Sequence, residues 1–201
     1  MIDVKRITQL QAETVARWHQ SEIENTYDGF LQLVCSQHEC NYRLWHEEDI
    51  ARSREVSDAR LAQVKRNIDG FNQQRNDMIE QLDEYMIGQL MTAGVELMPG
   101  ATLNSETPGS VIDRLSILSL RDYHMREQVE RADADQSHRD KASRRLEVIA
   151  QQREDLSTSL AELLADIFAG RKRLKVYHQL KMYNDASMNP YLYGAKKRSA
   201  A

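Results

Sequence analysis

Residues 104–118 read NSETPGSVIDRLSIL, a polar, turn-forming run that turns apolar within one helical turn. Thr107 has the side chain of a helix N-cap, and Pro108 suits the first helical position, where its missing N–H is no loss. Beyond them Val111, Ile112, Leu115, Ile117, Leu118 and Leu120 surround the helix axis. A helix that is apolar nearly all round is buried among other helices. The helix that starts at Pro108 is therefore central, and it carries Asp113 and Arg114 toward the interior.

Working outward, apolar residues recur at helical spacing over 5–20, 27–54, 57–93, 108–133 and 137–169, with a shorter stretch at 174–182. The segment 57–93 would span about 55 Å. Gly170 is a stop signal for the fifth helix. The one substantial break, 94–107, is turn-rich and too short for a domain linker. Long helices with short connections pack antiparallel. The expected fold is all-α, an antiparallel bundle of five or six helices. Residues 1–170 form the bundle, and 171–201 form a basic C-terminal helix and tail on the same domain.

The chain has 201 residues, 41% hydrophobic and 29% charged, with only three prolines and eight glycines. That length can bury one core. No apolar run approaches the roughly 20 residues that cross a bilayer. The start, MIDVKRITQLQ, lacks a signal peptide's apolar stretch. Cys35 and Cys40 are too few for a disulfide framework. The expected location is the cytoplasm. Residues 171–201 carry eight basic residues against Asp185, a net +7, which leaves −11 for the rest. Such a tail complements its own acidic bundle; nucleic acid ranks last as a partner, since no reading module is present.

The seams between helices carry charge. On the third helix Val64, Ile68, Phe71, Met78, Ile79, Leu82 and Met86 form a core stripe with Arg75 in its middle. Asp122 interrupts the stripe of the fourth helix and Arg153 that of the fifth; Asn41 and Glu48 do so more softly on the second. Charged groups leave water only when paired and hydrogen-bonded, so Arg75 and Arg153 call for acids and Asp122 for a base. One reading is an ionic layer that fixes helix register. The other is a pocket. Lys65, Asp69, Asn72, Asn76, Glu80 and Asp83 run along the edge of the core stripe, as the wall of a groove for a polar ligand would.

The start of the fourth helix is the expected anion site. Thr107, Gly109 and Ser110 leave small side chains and free N–H groups at a positive helix end, with Arg114 one turn on. Arg75 and Lys65 would add charge. Asp113, Glu48 and His124 are the candidate acid/base residues; Asp113 and His124 share a face about 16 Å apart. Phosphate-binding glycine loops, HExxH and the Glu-x-x-His pattern of di-iron bundles are all absent. Cys35, His38 and Cys40 lack a second ligand pair. His46 and Asp49 share a helical side, but His46 reads as a helix residue beside a packed Trp45. No metal and no cofactor is expected.

LWHEEDIAR (44–52), KRNIDGFNQQRNDMIEQLD (65–83), the opening stretch, YHM (123–125), KMYND (181–185) and NPYLY (189–193) together resemble an uncharacterised bacterial family, a domain of unknown function. SETPGS-x-IDRLSIL and KMYND are the most specific marks. The resemblance implies an all-helical protein often encoded beside glycosyltransferases of cell-surface polysaccharide assembly. It also adds Asn104, Lys181, Tyr183 and Asn184 to the ligand-binding candidates. The expected function is binding of an anionic small molecule, a phosphorylated sugar or sugar nucleotide, by a homodimeric protein. The alternative is an adaptor for a glycosyltransferase, with a purely architectural polar seam.

Overall fold

The computed structural model describes residues 2–179, 182 and 185–193. Lys181, Tyr183 and Asn184 lie outside the described residues. The fold is all-α: α1 (Val4–Trp18), α2 (Gly29–Arg52), α3 (Asp58–Thr92), α4 (Pro108–Glu130) and α5 (Gln136–Phe168), with two short strands, β1 (Thr102–Leu103) and β2 (Lys172–Arg173). Cap chemistry sets the starts of several helices. The side chains of Asp3, Ser57, Thr107 and Asp135 accept first-turn N–H groups of α1, α3, α4 and α5.

The α2–α3 and α4–α5 pairs are hairpins closed by short turns, and α4 packs against each of the other four helices. Its central place follows from its composition. Ile112, Leu115 and Leu120 are fully or almost fully buried, and Ser116 and Ser119 let neighbours approach. Around them Ile7 and Leu10, Val34 and Cys35, Leu82 and Met86, and Leu160 and Leu164 complete one core. A smaller cluster of Leu44, Val64 and Ile68 closes the far end of the α2–α3 hairpin.

A helix is expected over 174–182, but residues 174–179 have no helical structure. Gly170 turns the chain at a φ of 71°, where a side chain is strained. A Cβ there would also lie 2.1 Å from the Glu96 carbonyl oxygen. The chain then runs beside the 94–107 segment. Met98 N–H donates to the Gly170 carbonyl, and β2 pairs in parallel with β1. The segment after the helix thus begins by pairing its backbone, over 170–173, against the loop. It ends on α3, where the Glu80 carboxylate binds the His178 ring and the Gln179 N–H.

Candidate functional site

The charge in the α3 seam, Arg75, meets Asp113. Its carboxylate takes a two-pronged bond from Arg75 of α3, Nε to Oδ1 at 2.7 Å and Nη2 to Oδ2 at 2.5 Å. Gln37 and Asn41 of α2 donate amide protons to Oδ1 at 2.6 and 2.9 Å. Asn41 also reaches the Ser116 hydroxyl, which bonds His38 Nδ1 at 2.7 Å. Burial holds His38 neutral, its pKa pushed down to about 3. Four donors engage Asp113, which orients Arg75. The side chain of Asp113 is 5% exposed and that of Arg75 27%.

The other seam charges resolve differently. Asp122 pairs with Arg126 on its own helix, not with Arg153. Arg153 donates to the Thr8 carbonyl, and its buried Nε has no partner. A backbone carbonyl takes the place of the acid that its position called for, and desolvation lowers the Arg153 pKa.

The start of α4 is sealed. Thr107 caps Ser110, and the Gly109 N–H donates to Asp83 Oδ1 at 2.7 Å. Asp83 is 2% exposed and, with Pro108 and Gly109, wholly inside. The anion that this helix end receives is the protein's own carboxylate. A Cβ on Gly109 would come within 2.6 Å of the Ile79 carbonyl oxygen, so glycine is what lets α3 and α4 approach. Burial raises the Asp83 pKa to about 6, against the pull of bonds from Thr107 and Gly109. Arg114 is not inside: it pairs with Glu106 at 2.6 Å on the surface. Asn104 is nearby, bonded to the Glu106 carbonyl and to Lys172.

The polar edge of α3 also divides. Lys65 and Asp69 pair with each other in solvent, and Glu80 holds the tail. Asn76 is half-buried. Only Asn72 and Arg75 reach a shared cavity, between α2, α3 and α4. It measures about 360 Å³ and is lined by Asn41, Trp45, Glu48, Asp49, Arg52, Asn72 and Arg75 over an apolar floor of Leu44, Ile117 and Leu120. Glu48 stands on its wall, paired with Arg52 at 2.8 Å.

His124, the third acid/base candidate, lies elsewhere. It joins His19, at the C-cap of α1, and His46 of α2 in a cluster in which one ring nitrogen of each lies within 4.8 Å of the others. Tyr123 stacks on His19 and Trp45 on His124. His19, Gln37, His38 and Ser116 escaped the sequence reading as site residues. For the histidines there is a signal: Trp18-His19, Trp45-His46 and Tyr123-His124 are three aromatic-histidine pairs. The thiols of Cys35 and Cys40 are pushed up to about 12 and about 11 by burial, so neither is a poised nucleophile.

A family model described as "Protein of unknown function (DUF4254)" matches residues 31–176, most of the chain. The match begins inside α2, so His46, Arg75, Asp113 and His124 fall within it and His19 does not. No curated protein and no solved structure matches the chain. Among the described residues no helix is long and apolar enough to cross a membrane.

Proposed function

This chain belongs to the DUF4254 family, and we propose that it binds a phosphorylated sugar, or the sugar phosphate end of a sugar nucleotide, in the cavity between α2, α3 and α4. One observation carries the reading: the buried Asp113 carboxylate holds Arg75 by Nε and Nη2, and Arg75 lines the cavity. A guanidinium fixed from behind binds phosphate without losing side-chain freedom. The rest of the lining suits hydroxyls. Glu48, Asp49, Asn41 and Asn72 supply acceptors and amides, and Trp45 and Leu44 an apolar face for a sugar ring. Two guanidinium groups against two carboxylates favour a ligand that bears both an anionic group and hydroxyls. The volume lies at the small end of ligand cavities, which favours a monosaccharide phosphate over a whole nucleotide. The anion is received by Arg75 and Arg52, not by the sealed start of α4.

Thermal shift against a panel of hexose phosphates and sugar nucleotides tests this. A ligand at about 100 times its Kd stabilises by about 2.7 kcal/mol. Arg52→Ala and Asn72→Ala, on the cavity wall and away from the Asp113 network, should diminish the shift without unfolding the chain. A panel that leaves the wild type unmoved, or shifts that both variants retain, would sink the reading. A second reading, docking to a glycosyltransferase, draws on the exposed Tyr177, Met188 and Tyr191 of the C-terminal segment. It predicts binding to the purified enzyme that Tyr177→Ser and Tyr191→Ser abolish.

A further inference from the structure

We propose that His19, His46 and His124 form a site for one divalent transition-metal ion of the zinc class. The three come from separate elements: the C-cap of α1 and the last thirds of α2 and α4. The His19 Nδ1–H donates to the Val15 carbonyl at 2.7 Å, and the His124 Nδ1–H donates to the Glu127 carboxylate at 2.7 Å. In a neutral ring each of those bonds puts the remaining lone pair on Nε2. All three Nε2 atoms, that of His46 included, are buried and have no hydrogen-bond partner. Buried polar atoms are rarely left so; three together, facing one another, lack a common partner.

The surroundings are those of a ligand set. Histidines that bind metal give their second nitrogen to a carbonyl or carboxylate, which fixes the tautomer and raises basicity. His19 and His124 already have such partners. Stacking holds the rings in place, Tyr123 on His19 with centroids 4.2 Å apart and Trp45 on His124 at 4.7 Å. His46 meets Tyr42 edge-on at 4.5 Å. Burial and its two neighbours keep the His46 pKa below the usual imidazole value, so the ring is ready to coordinate. The C-terminal end of α1 adds negative potential beside His19.

The donor set decides the ion. Three imidazoles with no carboxylate among them exclude calcium and magnesium, which take oxygen. They suit zinc, with nickel and copper in the same range. Ligands about 2.0–2.1 Å from a tetrahedral ion stand about 3.3 Å apart, so the nitrogens, now within 4.8 Å of one another, close by small ring rotations. Three protein ligands leave a fourth position for water or a solute. Trp45 forms both the stacking partner of His124 and part of the cavity wall, so the ion would stand one ring away from the proposed sugar phosphate site. The metal site does not depend on that reading.

The experiment uses the full, untagged chain after chelator treatment. Calorimetric titration with zinc chloride should give one equivalent per chain, and magnesium chloride none. Cobalt(II) should give the visible absorption of a nitrogen-ligated tetrahedral ion. His19→Gln, His46→Gln and His124→Gln should each abolish both signals. Glu127→Gln should weaken zinc binding about 10–100-fold. His138→Gln, at an exposed position on α5, should change nothing. A wild-type chain that takes up no stoichiometric zinc overturns the proposal, whatever the variants do. So does zinc binding that survives all three histidine substitutions in folded protein.

Discussion

Two polar clusters lie inside this bundle, and they are finished to different degrees. Around Asp113 every charge has a partner: Arg75 enters from α3, Gln37 and Asn41 from α2, and Ser116 and His38 extend the chain of bonds, with Gln37 Oε1 and His38 Nε2, both neutral, left unpartnered at its edge. Around His19, His46 and His124 three buried acceptors have none. A network whose charges are all paired can be architecture, because it fixes the register of three helices. Three unpartnered acceptors gathered within one small space are what the metal-site proposal sets out to explain. On that proposal the bundle separates a part that specifies its own assembly from a part that receives an ion.

The sharpest way to break that contrast is Asp113→Ala. It leaves Arg75 half-buried without its carboxylate and strands two amides, and should cost about 3–5 kcal/mol in denaturant unfolding. A loss below about 1 kcal/mol would mean that the network is ornamental. Gly109→Ala comes next. Its methyl group would push on the Ile79 carbonyl and the Asp83 carboxylate, and about 1–3 kcal/mol of overpacking is expected. His46→Leu probes the other cluster in metal-free protein. It removes an unpartnered acceptor, so stability should change by less than about 1.5 kcal/mol; a loss as large as that of Asp113→Ala would place both clusters in one class.

pH separates the buried groups further. The folded pKa of Asp83, about 6, lies above its ordinary 3.8. The native state therefore holds that proton more tightly, and stability from this group falls as pH rises from about 4 to about 6. His38 acts oppositely. Its folded pKa of about 3 lies below 6.5, so stability from it is lost as pH falls below about 6.5. The two overlap, and Asp83→Asn resolves them: its stability relative to wild type should improve steadily between pH 4 and pH 6 in urea unfolding series. A pH-independent difference would contradict the burial of a titrating Asp83. The smallest effect belongs to Arg114→Ala. Its pair with Glu106 is on the surface, worth about 0–1 kcal/mol, and ligand-induced shifts should survive it.

Much of the bundle was legible. Helix ends fell within a few residues of their expected positions because Thr107-Pro108, Ser57 and Gly170 act locally. Arg75 was legible as a buried cation that calls for an acid, since an arginine among Ile68, Phe71 and Leu82 has no other tolerable fate. Its partner was not. Asp113 was read as an acid/base residue and Asp83 as part of a groove wall, whereas the first anchors Arg75 and the second caps α4. A carboxylate near a seam can serve a cation, a helix end or a ligand, and spacing along one helix does not choose among them. The expected helix at 174–182 is missing over 174–179, and its spacing could not show that the chain just before it, 170–173, is pairing with the 94–107 loop.

The sequence by itself determined the helices, their buried faces, the central place of the helix after Pro108 and the need for internal charge pairs, because these follow from local capping and from periodicity over one element. Only the tertiary structure decided which carboxylate meets which cation, that the start of α4 is closed by Asp83, and that three histidines up to 105 residues apart in the chain share one small space. Those outcomes depend on the distance between helices, and that distance is set by packing of the whole core at once.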